Sequence, residues 1–348
     1  MSAFSNRFLT LGLAFFVAFA PTSMPLQSAA QSTDLPRGVP YLTLRDKTGD
    51  TGLDTYYGHA RSTLKAGWCG IDQTSFDGLK PLIDAAPFRI PDEIMRVERI
   101  VETDIEATLD QLEITSDGKP LLFYVHGFFI DFEKGCRRAT LLQENIEQQG
   151  RFIWFSWPSD GLLLNYSRDE ADLYWSVPHI ADTITTMEQR FGGDRVNLVG
   201  HSLGARGLVL ALNDLAIRDP DLRLGHIALL APDIDFQIFQ ELLPRIRPII
   251  QSITIYVADA DRPLAVSAQF HGYPRLGQTG NDASSLEGAE VIDLSALRVR
   301  SPTGHLYHVY NSEVGVDLDQ LINENKMAAQ RRNLVQVEGN LWTLNRAD

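Results

Sequence analysis

Residues 197–206 read N-L-V-G-H-S-L-G-A-R. An apolar run stops at Gly200, a serine stands at position 202 between two glycines, and an alanine- and leucine-rich run begins at Ala205. The core of the stretch, Gly200-His201-Ser202-Leu203-Gly204, fits G-x-S-x-G, the turn that lifts a nucleophilic serine from a strand end onto a helix start. Such a turn is sharp enough to strain the serine backbone. Side chains at Gly200 and Gly204 would collide with the packed strand and helix, so both positions have to be small. The following helix aims its N-terminal dipole at the serine, which favours developing negative charge. As a bare string the pattern is weak, and the bland reading is a tight turn without chemistry. Its place between a buried strand and a helix gives it weight.

The chain around this turn alternates. L-L-F-Y-V at 121–125, F-I-W-F at 152–155, V-N-L-V at 196–199, I-A-L-L at 227–230 and I-T-I-Y-V at 253–257 are short apolar runs, the mark of strands buried on both faces. V-I-D at 291–293 is a shorter sixth. Helical spacing runs over 136–149, 180–191, 205–217 and 236–246, with a closing helix over 314–322. This predicts an α/β fold with a mostly parallel central sheet and helices on both faces. A short strand and a helix over 103–112 precede it. The predicted domain covers residues 96–323. Residues 31–95 read as a polar leader and an irregular extension with one or two short strands. The tail, 324–348, holds an alternating stretch at 333–342 that suits an edge strand or a partner contact.

In parallel sheets the reactive groups gather beyond the carboxyl ends of the strands. After 121–125 comes His126-Gly127-Phe128-Phe129. One oxyanion donor is assigned to the N–H of Phe128, with Gly127 letting the loop approach, and the other to the N–H of Leu203. His126 is expected to brace this loop rather than move protons. After 253–257, the run A-D-A-D-R-P offers Asp261 as triad acid, with Asp259 as runner-up. Asp233 and Asp235 in A-P-D-I-D stay open, since the acid can sit one strand earlier, and solvated turn aspartates are common. After 291–293, S-P-T-G-H-L-Y-H at 301–308 supplies His305 as the base, with Gly304 letting the ring turn inward and His308 as the alternative. Ser202, Asp261, His305 is the chain order of α/β-hydrolases. No third ligand supports a metal at His305 and His308, and no cofactor or metal is expected. His59, His179, His226 and His271 read as structural or surface groups.

These pieces together resemble the DUF900 family of bacterial α/β-hydrolase proteins, a branch of the esterase/lipase superfamily whose function is largely unassigned. The matching pieces are F-Y-V-H-G-F at 123–128, F-S-W-P-S at 155–159, L-V-G-H-S-L-G-A-R at 198–206, L-L-A-P-D-I-D at 229–235 and T-G-H-L-Y at 303–307. D-R-P-L at 261–264 stands where that family tends to have an aspartate before a small apolar pair. The resemblance covers roughly residues 97–323. It implies the hydrolase fold and supports Ser202, Asp261 and His305 as the matching triad. Phe128-Phe129-Ile130 departs from the more polar loop expected after His-Gly, and the tail from about 324 has no clear counterpart.

The first thirty residues look like an export signal. Arg7 is followed by an apolar run over 8–20 and small residues at Ser28-Ala29-Ala30, which predicts cleavage after Ala30. The run is short for a membrane span, and an uncleaved anchor is the alternative. Location is then periplasmic or extracellular, in a bacterium. The chain carries a net charge of −14, and the segment to be removed holds Arg7 and no acid. So acidic a chain is repelled by phosphate backbones, which argues against a nucleic-acid partner, and by anionic lipid. Cys69 and Cys136 are the two cysteines. In an oxidising compartment an even count favours a bridge, with two buried thiols as the alternative.

Leu162, Leu163, Leu164, Tyr166, Tyr174 and Trp175 follow the 152–155 strand. With Phe128 and Phe129 they would line an acyl pocket or lid, or else pack a local core. The expected activity is hydrolysis of a small-molecule carboxylic ester with an apolar, lipase-like acyl part through an acyl-enzyme. The alternatives are an amidase or peptidase using the same triad, a thioesterase, and a binding protein that kept the fold and lost turnover.

Overall fold

The computed structural model describes residues 37–72, 95–116, 118–147, 151–297 and 303–346. The export signal and its cleavage site lie outside the described residues. One sheet organises the rest. Its strands are β1 (Gly38–Lys47), β2 (Tyr57–Ile71), β3 (Val97–Thr103), β4 (Leu121–Val125), β5 (Phe152–Ser156), β6 (Val196–His201), β7 (Leu224–Leu230), β8 (Ile250–Val257), β9 (Glu290–Asp293), β10 (Leu334–Glu338) and β11 (Leu341–Leu344). Their order is β10-β11-β9-β8-β7-β6-β4-β5-β1-β2-β3. From β11 to β1 the pairing is parallel, and only the two margins, β1-β2-β3 and β10-β11, turn antiparallel.

The central strands are apolar throughout because both faces are covered. In β4, Leu121, Phe123 and Val125 point into one core and Leu122 and Tyr124 into the other, the period of two that a pleated strand imposes. The first core takes side chains from α1 (Ile105–Thr115), α3 (Tyr166–Phe191), α4 (Leu203–Arg218) and α5 (Phe236–Ile246). The second takes them from α2 (Phe132–Asn145), α6 (Arg262–His271), the short α7 (Tyr307–Tyr310) and α8 (Ser312–Ile322). The predicted α/β architecture with helices on both faces is the one observed. Among the described residues no helix is long and apolar enough to cross a membrane.

Three stretches differ from the sequence reading. Residues 38–71 are not irregular: β1 and β2 extend the sheet, with β2 alone spanning 15 residues. The middle of β2 is exposed or half-buried, so it lacks the continuous apolar run of a covered strand. Helix α3 begins at Tyr166 rather than 180 and passes through Pro178. Proline lacks the donor a helix interior needs, so it reads as a boundary, but packing of Leu173, Ile180 and Ile184 carries the helix across it. Helix α6 was not expected; Asp261 caps it and Pro263 occupies its first turn. The tail forms the hairpin β10–β11, with β10 at the sheet edge.

Cys69 of β2 and Cys136 of α2 are joined in a disulfide, their Cα atoms 6.3 Å apart, and both are fully buried. The bridge ties the antiparallel margin to the helix that follows β4.

Candidate active site

Ser202 sits at the tip of β6 with φ 53° and ψ −121°, a backbone conformation that L-residues avoid. Main-chain hydrogen bonds hold it there. Its N–H donates to Leu230 at 2.9 Å, and its carbonyl accepts from Ala205 and Asp233, each at 3.1 Å. The flanking glycines are required by contact. A Cβ on Gly200 would lie 2.6 Å from the Ala205 Cα, and one on Gly204 would lie 2.1 Å from the His126 carbonyl oxygen. Gly127 is close as well, since its Cβ would fall 2.8 Å from His201 Nδ1 and 2.9 Å from Ser202 Cβ. The loop after β4 and the serine turn are thus in contact, as neighbouring strands β4 and β6 require.

His305 Nδ1 is 2.7 Å from Asp261 Oδ2. Asp261 is buried, and its other oxygen accepts the Leu264 N–H at 3.0 Å. Gly304, at φ 71°, brings the histidine in; a Cβ there would meet the Ala260 carbonyl at 2.3 Å. The His305 ring packs on His201, the residue before the serine, at 4.6 Å between centroids, and its carbonyl lies 3.2 Å from His201 Nε2. The other aspartates are occupied elsewhere. Asp259 is exposed in the turn. Asp235 caps α5 through the N–H groups of Gln237 and Ile238. Asp233 is buried among Arg206, Arg275, Ser267 and Tyr166. His308 packs on His201 at 4.2 Å, and neither of its ring nitrogens has a partner among the described residues. Burial holds both His201 and His308 well below the usual histidine range.

The family profile described as "Alpha/beta hydrolase of unknown function (DUF900)" matches residues 101–325. The chain belongs to the DUF900 family of α/β-hydrolases. No curated protein matches it. Solved structures with a similar fold include a hydrolase described as "predicted CIB-like" from Thermoplasma acidophilum, 17% identical, covering 66% of this chain and 92% of that one at TM-score 0.37. Est1E from Butyrivibrio proteoclasticus is 13% identical over 60% of this chain and 86% of that one, at TM-score 0.35. A Pyrobaculum calidifontis esterase is 12% identical over 60% and 79%, at TM-score 0.35. Similarity at that level bears on neither residue roles nor substrate.

Several side chains surround the turn of this DUF900 chain. His126 is buried and stacks on Trp157, 5.0 Å between centroids, with Nδ1 2.8 Å from the Gly127 carbonyl oxygen. Burial, with Arg45 nearby, pushes its imidazole down to about 3, so it is a neutral brace. Tyr166 forms an aromatic wall between Phe128, at 5.1 Å, and Phe270, at 5.9 Å. Its phenol donates to Asp233 at 2.7 Å, which fixes the ring. Phe129, Leu162, Leu164 and Phe270 are exposed. Trp175 lies against the Arg61 guanidinium, whose carbon is 5.3 Å from the ring centroid. His226 is buried between Ser252 and Asn325, while His59 is exposed. His271 touches Tyr166 and Glu170, and His179 packs on Trp175.

Proposed function

We propose that this protein is an exported serine hydrolase of carboxylic esters, acting through Ser202, His305 and Asp261. The observation that carries the reading is the 2.7 Å contact of His305 Nδ1 with buried Asp261, on a histidine packed against the strained serine turn. With Nδ1 engaged by the carboxylate, Nε2 is the free basic nitrogen. It takes the Ser202 proton as the hydroxyl attacks the ester carbonyl, and Asp261 stabilises the imidazolium that results. The N–H groups of Phe128 and Leu203 receive the oxyanion; each such donor is worth about 3 kcal/mol in the transition state. Nε2 then protonates the leaving alcohol, and water, deprotonated by the same nitrogen, releases the acid from the acyl-serine. The wall formed by Phe128, Tyr166 and Phe270 favours an apolar acyl part.

Export through cleavage after Ala30 is part of the same proposal. A buried disulfide between Cys69 and Cys136 supports it, because such bridges persist in oxidising compartments. The test is turnover of p-nitrophenyl esters of increasing chain length, with fluorophosphonate labelling and mapping of the modified peptide. Ser202→Ala is expected to lose both label and turnover. Equal turnover by this variant, or amide cleavage at least as fast as ester cleavage, would count against the ester-hydrolase assignment.

A further inference from the structure

The piece F-S-W-P-S at 155–159 contributes nothing to the triad, yet it stands at the tip of β5 beside the tip of β4. The loop over 126–131 is fastened to it at both ends. At the near end, Trp157 Nε1 donates to the His126 carbonyl at 2.7 Å, and the two rings stack. At the far end, the Ile130 N–H donates to Ser159 Oγ at 3.1 Å, and the Ile130 carbonyl accepts from Arg45 Nη2 at 2.7 Å. Between the two ends lie Phe128 and Phe129, the latter at φ 65°. A non-glycine residue held there stores strain and relaxes unless its neighbours are pinned.

Ser159 has one proton to give, and it gives it to Asp169 Oδ2. That direction leaves a lone pair facing the Ile130 N–H. Asp169 is itself fixed: it belongs to the first turn of α3, and its Oδ1 accepts the Asp160 N–H at 3.0 Å. Both Ser159 and Asp169 are fully buried, so water does not compete for these bonds. Arg45 closes the arrangement from behind, donating to the Ser159 carbonyl and to Ser156 Oγ at 2.7 and 2.8 Å.

We propose that Ser159, oriented by Asp169, is a positioning residue for the oxyanion loop: its hydroxyl pins Ile130, and through it the strained turn that carries the Phe128 N–H beside Ser202. This rests on the serine-hydrolase reading above. Deleting an oxyanion donor outright costs about 10²–10³ in kcat, and a loosened loop keeps its donor in place part of the time. Ser159→Ala is therefore expected to lower kcat about 10-fold with KM within about twofold, because only transition-state contacts weaken. Phenylboronic acid, which forms a tetrahedral adduct on the serine, should lose affinity by the same factor. Asp169→Asn, which keeps an acceptor for the Ser159 proton, should lose only about threefold in both. A purely structural role would lower the melting temperature without matching kcat to boronate affinity.

Wild type that turns over p-nitrophenyl butyrate and takes a fluorophosphonate label, with Ser159→Ala equal to it in kcat and boronate affinity, overturns this inference alone. Wild type that does neither overturns the serine-hydrolase reading and this inference with it. Should Ser159→Ala fail to fold, Ser159→Cys, which keeps the volume but weakens the acceptor facing the Ile130 N–H, decides by the same two readouts.

Discussion

Asp261 and His305 meet at 2.7 Å although 44 residues separate them in the chain. The carboxylate reaches the ring from the capping position of α6, where its second oxygen is tied to the Leu264 N–H. Cap and histidine contact share one side chain, so the carboxylate is held in one orientation. Asp261→Asn keeps the shape but lets the amide favour the wrong imidazole tautomer. The expected drop in kcat is about 10³–10⁴-fold, with only a small loss of stability, measured by ester turnover and thermal melting.

Ser202 is strained at φ 53° and ψ −121°, a conformation that glycine adopts at no cost. Ser202→Gly should therefore raise unfolding stability by about 1 kcal/mol over Ser202→Ala while both are inactive. Urea titration of the two variants checks it. Equal midpoints would show that the turn carries no strain.

Gly204 presents the opposite case. A methyl group there lies 2.1 Å from a main-chain carbonyl that Trp157 also holds. Gly204→Ala is expected to cost about 1–3 kcal/mol of stability by overpacking and to displace the loop after β4 from the serine. Melting temperature and probe labelling should fall together.

The disulfide closes a loop across 67 residues. On the chain-entropy account, a loop of that length is worth about 4 kcal/mol. The double variant Cys69→Ser/Cys136→Ser should lose about 2–4 kcal/mol in urea unfolding and match wild type measured under reducing conditions.

Asp169 gives stability a pH dependence. Burial raises its carboxyl to about 6, against the opposing hydrogen bonds from Ser159 and the Asp160 amide. Between 3.8, the ordinary value, and about 6, the folded chain holds a proton that the unfolded chain has released. This contribution is therefore fully present below the ordinary value and is lost as pH rises through about 6. Asp169→Asn removes the titration, so the stability difference between wild type and variant should shift in the variant's favour from pH 4 to pH 7, read from urea midpoints.

Asp233 holds two buried guanidinium groups, Arg206 at 3.4 Å and Arg275 at 3.1 Å. Burial raises its carboxyl, but Arg206, Ser267, Tyr166 and Arg275 outweigh that and hold it below the usual carboxylate range. Asp233→Ala leaves Arg275 without its carboxylate in the interior and Arg206 with Glu170 alone. A loss of about 3–5 kcal/mol is expected in chemical denaturation, well above that of a surface aspartate.

The central sheet was legible because its signal is local. Each covered strand has to be apolar at consecutive positions, and each helix has to repeat its apolar residues with the helical period. The serine turn was legible for the same reason, since five adjacent residues specify it. The margins were not: β2 is half exposed, so the apolar run that marks a covered strand is missing from its middle. Pro178 concealed the first half of α3 because its local cost is visible in sequence and the packing that overrides it is not. F-S-W-P-S was conspicuous as a string, but its contacts with His126 and Ile130 lie across the sheet.

The sequence by itself determined the α/β alternation, the chain order of serine, acid and histidine, and the need for glycine at 200 and 204. Only the tertiary structure decided which of four aspartates meets the histidine, why His305 rather than His308 is the partner, and that Cys69 bonds Cys136. The reason is physical. Propensity and periodicity act between neighbours along the chain, whereas a hydrogen bond or a disulfide needs a particular distance between groups far apart in sequence, and only the packed sheet sets that distance.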